Sequence, residues 1–197
     1  MENIRDLFNN FLNKTMNGTV DSDQHLVTLF GITLQIKAKK ILELGVRWGT
    51  TTEPMIAGVF LNQGHITCVD VSPTEWVCPD ALKPYYTFVH SDAIKFLEQE
   101  VEKQSYYDMI YIDDWHSAPH VKRELELVDK LTDNKSIILL HDLMGMGTQP
   151  EYYYPINEAH GEWALGGPYA AVKDLDLNKW EWATIPVNNG LTILRKK

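Results

Sequence analysis

At 197 residues, with 44% hydrophobic and 23% charged side chains, the chain has enough apolar material for one domain with a full-sized core. Its formal net charge of -9 argues against a broad nucleic-acid surface, because phosphate binding draws on clustered Lys and Arg. With two cysteines, Cys68 in an apolar run and Cys78 in a loop stretch, a disulfide scaffold is excluded and reduced thiols are expected.

Ile4, Leu7, Phe8, Phe11 and Leu12 recur at helical spacing and predict an amphipathic helix that Asn17-Gly18 ends. Asp21-Ser22-Asp23 can cap a second helix running through His25, Leu26, Leu29, Phe30 and Leu34. Residues 1–38 are expected to cover a sheet edge or the cofactor side. The run Ile41-Leu42-Glu43-Leu44-Gly45-Val46-Arg47-Trp48-Gly49-Thr50-Thr51 reads as strand, glycine turn, then a helix over about 51–61. Glycine lets the backbone approach a ligand, and a helix N-terminus offers N–H groups to a carboxylate or phosphate. Glycine in an ordinary α/β turn is the simpler reading of the same pattern.

His65-Ile66-Thr67-Cys68-Val69-Asp70 is a second strand, closing on an acid about 25 residues after Gly45, the position of a ribose ligand in doubly wound folds. Tyr86-Thr87-Phe88-Val89 is a third, followed by His90-Ser91-Asp92-Ala93 at a helix start. Asp92 is either a helix cap or, with Ser91, an adenine contact. Strands over 109–112 and 137–140 flank a helix over 118–131, in which His120 is assigned to the solvent side. Residues 143–168, with Gly145-Met146-Gly147 and Tyr152-Tyr153-Tyr154, suit a substrate loop. After a short helix over 170–175, the stretches 180–185 and 191–194 suggest an antiparallel hairpin closing the sheet. Trp163, Trp180 and Trp182 are expected to be packing residues.

The fourth and fifth strands carry the chemistry. One stops at Ile112-Asp113-Asp114-Trp115-His116 and the other at Leu140-His141-Asp142, as buried parallel strands do when they deliver polar groups to the carboxyl edge of a sheet. Asp113-Asp114 can also be a plain helix cap, and His116 a plain hydrogen-bond partner.

Together these residues resemble the class I S-adenosylmethionine-dependent methyltransferases. The similarity rests on Glu43-Leu44-Gly45 with Gly49, on Asp70 and Asp92, and on the closing hairpin, and it spans roughly residues 23–195. The ends of strands four and five look like the metal-dependent small-molecule O-methyltransferases, in particular the methyltransferase domain 24 set that includes cephalosporin-hydroxylase-like and sugar O-methyltransferases. The fourth strand is also similar to that of catechol O-methyltransferase. The resemblance implies one class I domain over residues 1–197, a Rossmann-like three-layer α/β sandwich with a mostly parallel seven-stranded sheet and an antiparallel C-terminal hairpin.

By the same resemblance, Glu43, Gly45 and Gly49 serve the methionine side of S-adenosylmethionine and Thr51 its carboxylate. Asp70 holds the ribose, Ser91 and Asp92 the adenine, and Trp115 is the neighbouring aromatic. Asp113 and Asp142 become metal ligands, and His116 takes the place of the general base. Leu143 follows Asp142 where catechol O-methyltransferase has an asparagine ligand. His141 is the substitute ligand if the strand has already turned into loop, since strand neighbours point to opposite faces.

The implied reaction is O-methylation of a small-molecule or sugar hydroxyl, assisted by Mg²⁺ or a similar divalent cation that orients the hydroxyl and lowers its pKa. His116, with a reference pKa of about 6.5, is expected to be largely neutral at pH 7 and to take the proton. One alternative is a non-catalytic cofactor-binding or interaction domain. Another is an NAD-dependent oxidoreductase, disfavoured because Arg47 stands where the dinucleotide fingerprint needs its middle glycine. No apolar run approaches the roughly 18 residues that span a bilayer, and the start lacks the order of a signal peptide. A cytoplasmic protein is expected, free of membrane and nucleic acid, with homo-oligomerisation left open.

Overall fold

The computed structural model describes residues 4–144 and 167–197. A seven-stranded sheet runs through them in the order β3-β2-β1-β4-β5-β7-β6. Its strands are β1 (Lys40–Leu44), β2 (His65–Asp70), β3 (Tyr86–His90), β4 (Met109–Ile112), β5 (Ile137–Leu140), β6 (Trp180–Ile185) and β7 (Leu191–Lys196). The first five pair in parallel, whereas β7 enters antiparallel between β5 and β6. This is the expected Rossmann-like sheet with its closing hairpin.

Alternation along the strands separates two cores. Leu42, Leu44, Ile110 and Ile112 face α4 (Ala93–Glu102), α5 (Ala118–Leu131) and α6 (Gly167–Val172). Ile41, Met109 and Tyr111 face α1 (Ile4–Asn17), α2 (Leu26–Gln35) and α3 (Thr52–Asn62). Helix α3 buries every residue from Thr52 to Val59, as a helix between sheet and outer helices must. Helix α1 turns Leu7 and Phe11 inward, and Phe8, Phe11 and Phe30 stack edge-on or tilted at 5.0–5.4 Å.

Boundaries mostly follow local signals. Asp92 caps α4 by accepting from the Lys95 N–H at 2.9 Å, and Ser117 caps α5 with Pro119 in its first turn. The second helix departs from expectation: Asp23–His25 form a 3₁₀ turn and α2 starts at Leu26, with no cap bond from Ser22. Asp23 instead accepts from the Val20 N–H at 2.7 Å, folding the loop before α2. Among the described residues no helix is long and apolar enough to cross a membrane. Residues 145–166, which include most of the expected substrate loop with Tyr152, Tyr153, Tyr154 and Trp163, lie outside the described residues.

Candidate active site

The strand order reverses between β1 and β4, and ligands of open parallel sheets sit at that crevice. Backbone bonds continue past the strand ends there. The Gly45 N–H donates to the Val69 carbonyl at 2.9 Å, Asp113 to Leu44 at 2.8 Å, and His141 to Ile112 at 3.1 Å. Gly45 has a φ of +85°, and a Cβ on it would lie 2.0 Å from the Asp113 carbonyl oxygen, so only glycine lets the β1 and β4 ends meet. Gly49, at φ +69°, is closed in by the Trp76 ring.

Glu43 lies beneath this turn, fully buried and off the cavity wall. Its carboxylate accepts from Thr51 Oγ1 at 2.7 Å, Thr52 Oγ1 at 2.6 Å and Cys68 Sγ at 3.0 Å, tying β1 to β2 and to the start of α3. Burial pushes its carboxyl up to about 7 against the lowering effect of these three donors. Asp70 also shapes the turn: Oδ2 accepts from the Val46 and Arg47 N–H groups at 2.8 and 3.0 Å, and Oδ1 from Ser72 at 2.8 Å.

A cavity of about 820 Å³ opens over these strand ends. Gly45, Thr51, Asp70, Ser91 and Asp92 line it together with Asp113, Trp115, His116 and Asp142. Asp92 therefore caps α4 and faces the cavity at once. Trp115 is half exposed on the wall. Arg47, at φ +48°, places its guanidinium 3.7 Å from the Trp48 ring centroid at the rim.

Strand β5 stops at Leu140, and Asp142 takes a left-handed φ of +61°. The chain has thus left the strand by His141, and both side chains converge on Asp113; the ligand atoms of all three lie within 4.8 Å of one another. His141 Nε2 lies 3.0 Å from the Asn188 carbonyl, which can only accept, so this nitrogen carries the hydrogen and Nδ1 faces the acids. Nδ1 sits 3.4 Å from Asp113 Oδ1 and 3.3 Å from Asp142 Oδ2 without making a hydrogen bond, and buried Asp142 Oδ1 has no partner among the described residues. The orphan Oδ1 of Asp142 and the unbonded Nδ1 of His141, gathered beside the Asp113 carboxylate, fit a divalent cation.

His116 Nε2 stands 2.9 Å from Asp142 Oδ2 and 3.3 Å from Asp113 Oδ1. Burial works against its charge, but the two acids outweigh burial and push the imidazole up to about 11. Burial likewise opposes ionisation of Asp113 and Asp142, while His141 and His116 hold both carboxyls below the usual range. So arranged, His116 keeps its proton at pH 7, unlike the free imidazole assumed from its reference value. The Tyr111 hydroxyl donates to Asp113 Oδ2 at 3.0 Å from below.

Two further residues reach the cavity wall against the sequence reading. His120 does not face solvent: it lines the cavity and contacts Asp114 Oδ2 at 3.1 Å, with buried Glu124 behind it. Burial pushes the Glu124 carboxyl well above the usual carboxylate range, with the Asp114 charge adding to the effect. Asp21, read only as a cap, lines the cavity beside Val20 and Ser22. Burial and the charges of Asp113 and Asp142 raise its carboxyl. The i, i+4 spacing of His120 and Glu124 could have signalled a shared helix face, whereas nothing local connects Asp21 to Asp113.

A family model describing a methyltransferase domain matches residues 42–143. No curated protein matches the chain. Among solved structures, the O-methyltransferase from Bacillus cereus in complex with SAH has a TM-score of 0.67 at 13% identity, over 98% of this chain and 90% of that one. An SAH-bound methyltransferase from Podospora anserina has a TM-score of 0.64 at 18% identity, over 98% and 88%. The O-methyltransferase TomG from Streptomyces achromogenes, involved in tomaymycin synthesis and in complex with SAM, has a TM-score of 0.62 at 13% identity, over 89% and 81%. At these identities the likeness is one of fold.

Proposed function

The chain belongs to the methyltransferase domain family, and on that premise we propose that it is an S-adenosylmethionine-dependent O-methyltransferase for the hydroxyl of a small molecule or sugar, assisted by a divalent cation. The observation that carries this reading is one cavity lined by the glycine turn, Asp70 and Asp92 together with Asp113, His116 and Asp142. Such a cavity holds the methyl donor and the acceptor side by side, and positioning of this kind can supply several kcal/mol of a transfer barrier, up to roughly 7–11 in ideal cases.

The donor is a sulfonium cation, and Asp21, Asp113 and Asp142 give the cavity an acidic wall suited to it. Asp70 and the Gly45 to Gly49 turn take the ribose and methionine parts, with Ser91 and Asp92 at the adenine, Thr51 at the carboxylate end and Trp115 on the outer wall. Glu43 acts through Thr51 and Thr52, whose hydroxyls it holds. Asp113, Asp142 and His141 would hold the cation, Mg²⁺ or a similar divalent ion, which when bound lowers the pKa of the acceptor hydroxyl. His116 Nε2 is the proton acceptor once the charges of Asp113 and Asp142 are balanced by something other than its own proton. An NAD-type dinucleotide is the poorer ligand, because the Arg47 side chain stands at the rim where the pyrophosphate needs bare backbone.

Methyl transfer from S-adenosylmethionine to a panel of phenol and sugar hydroxyls, with and without a chelator and in Asp142→Ala, tests the proposal. Loss of turnover in both cases is expected. Turnover that survives both removes the cation, and failure to bind S-adenosylhomocysteine or transfer methyl removes the enzyme reading.

A further inference from the structure

Asp113 and Asp114 are adjacent in sequence but serve different clusters. Asp113 faces His141 and Asp142, while Asp114 faces His120 and Glu124, and the ligand atoms within this second trio also lie within 4.8 Å of one another. Glu124 is fully buried on α5 one turn after His120, so both side chains leave the same helix face. The cluster meets the cavity through Asp114 and His120.

Its polar accounting does not close. Both carboxylate oxygens of Glu124 and Oδ1 of Asp114 are buried and accept no hydrogen bond among the described residues. His120 Nε2 reaches Asp114 Oδ2 at 3.1 Å, but stands 3.7 Å from Glu124 Oε1, beyond a hydrogen bond. A buried carboxylate left without a donor costs several kcal/mol, and with His120 too far from Glu124 to hydrogen-bond it, an ionised Glu124 needs a closer positive centre, which a bound cation supplies. Two carboxylates balance a divalent charge, and one imidazole nitrogen shifts preference from Mg²⁺ and Ca²⁺ toward the first-row transition metals and Zn²⁺.

We propose that Asp114, His120 and Glu124 form a second divalent transition-metal site, opening on the same cavity but separate from the Asp113, His141 and Asp142 cluster. The proposal does not depend on the methyl-transfer reading, since it rests on the orphaned oxygens alone.

The test uses the full chain with Asp113→Asn and Asp142→Asn, which disables the first cluster, and Co²⁺ as a probe visible by its d–d absorption. One equivalent of Co²⁺ is expected to bind with bands of nitrogen and oxygen coordination, and Zn²⁺ is expected to displace it. Adding His120→Asn or Glu124→Gln is expected to weaken binding by at least tenfold. Absence of stoichiometric Co²⁺ binding in the double variant overturns the proposal, as does binding that both further substitutions leave unchanged. Should Glu124→Gln fail to fold, the half-buried His120→Asn decides alone, its fold checked by far-ultraviolet circular dichroism. A proton shared between Asp114 and Glu124 is the competing account, and it predicts no Co²⁺ binding at all.

Discussion

Glu43 couples the stability of the site to pH in an unusual direction. Fully buried, its carboxyl has moved from the ordinary 4.5 up to about 7, so the folded state favours the protonated form. Its stabilising contribution is therefore complete below pH 4.5 and is lost as pH rises through about 7. At about 1.4 kcal/mol per pH unit, the gap corresponds to roughly 3 kcal/mol, most of it lost between pH 5 and 8. Glu43→Gln keeps the shape and removes the titration, while the Thr51 and Thr52 hydroxyls can turn to meet an amide. Urea denaturation of both proteins followed by tryptophan fluorescence, at half-unit steps from pH 5 to pH 8, gives the difference directly. The wild type is expected to lose roughly 2–3 kcal/mol more than the variant over that range. A difference that stays constant with pH would refute the reasoning, because every other titrating group is common to both.

The β1 to β4 contact predicts that Gly45→Ala destabilises the fold by about 3 kcal/mol, combining left-handed backbone strain with a collision at the Asp113 carbonyl. A loss under about 1 kcal/mol in the same denaturation assay would mean that the two strand ends can part. Asp70→Asn leaves one acceptor oxygen for three backbone donors, so a stability loss of about 1.5–3 kcal/mol is expected. With the turn loosened, S-adenosylhomocysteine binding followed by calorimetry should weaken by about tenfold or more, equivalent to about 1.4 kcal/mol; unchanged affinity would detach Asp70 from the cofactor.

Much of the framework was legible because it is written in local signals. Alternating apolar runs and the Gly45 to Gly49 turn marked strands and their ends, and α3 and α5 began where their sequence signals put them. The acids at strand ends followed too, since a parallel strand in a covered sheet has polar residues only where it emerges. The second helix was misplaced by a few residues because the Asp23 side chain chose Val20 over a helix cap, a competition between two local bonds that composition cannot rank.

The sequence by itself determined which residues reach the carboxyl edge of the sheet: Asp70, Asp92, Asp113 and Asp142, each placed by the length of the apolar run before it. Tertiary structure alone decided what meets there. The left-handed turn at Asp142 brings His141 onto the same side as its neighbour, which strand alternation would have forbidden. The loop before α2 carries Asp21 to the cavity, and the rotation of α5 turns His120 and Glu124 toward Asp114 instead of solvent. Those outcomes depend on how distant segments share one buried volume, and charge, burial and protonation are settled in that volume together.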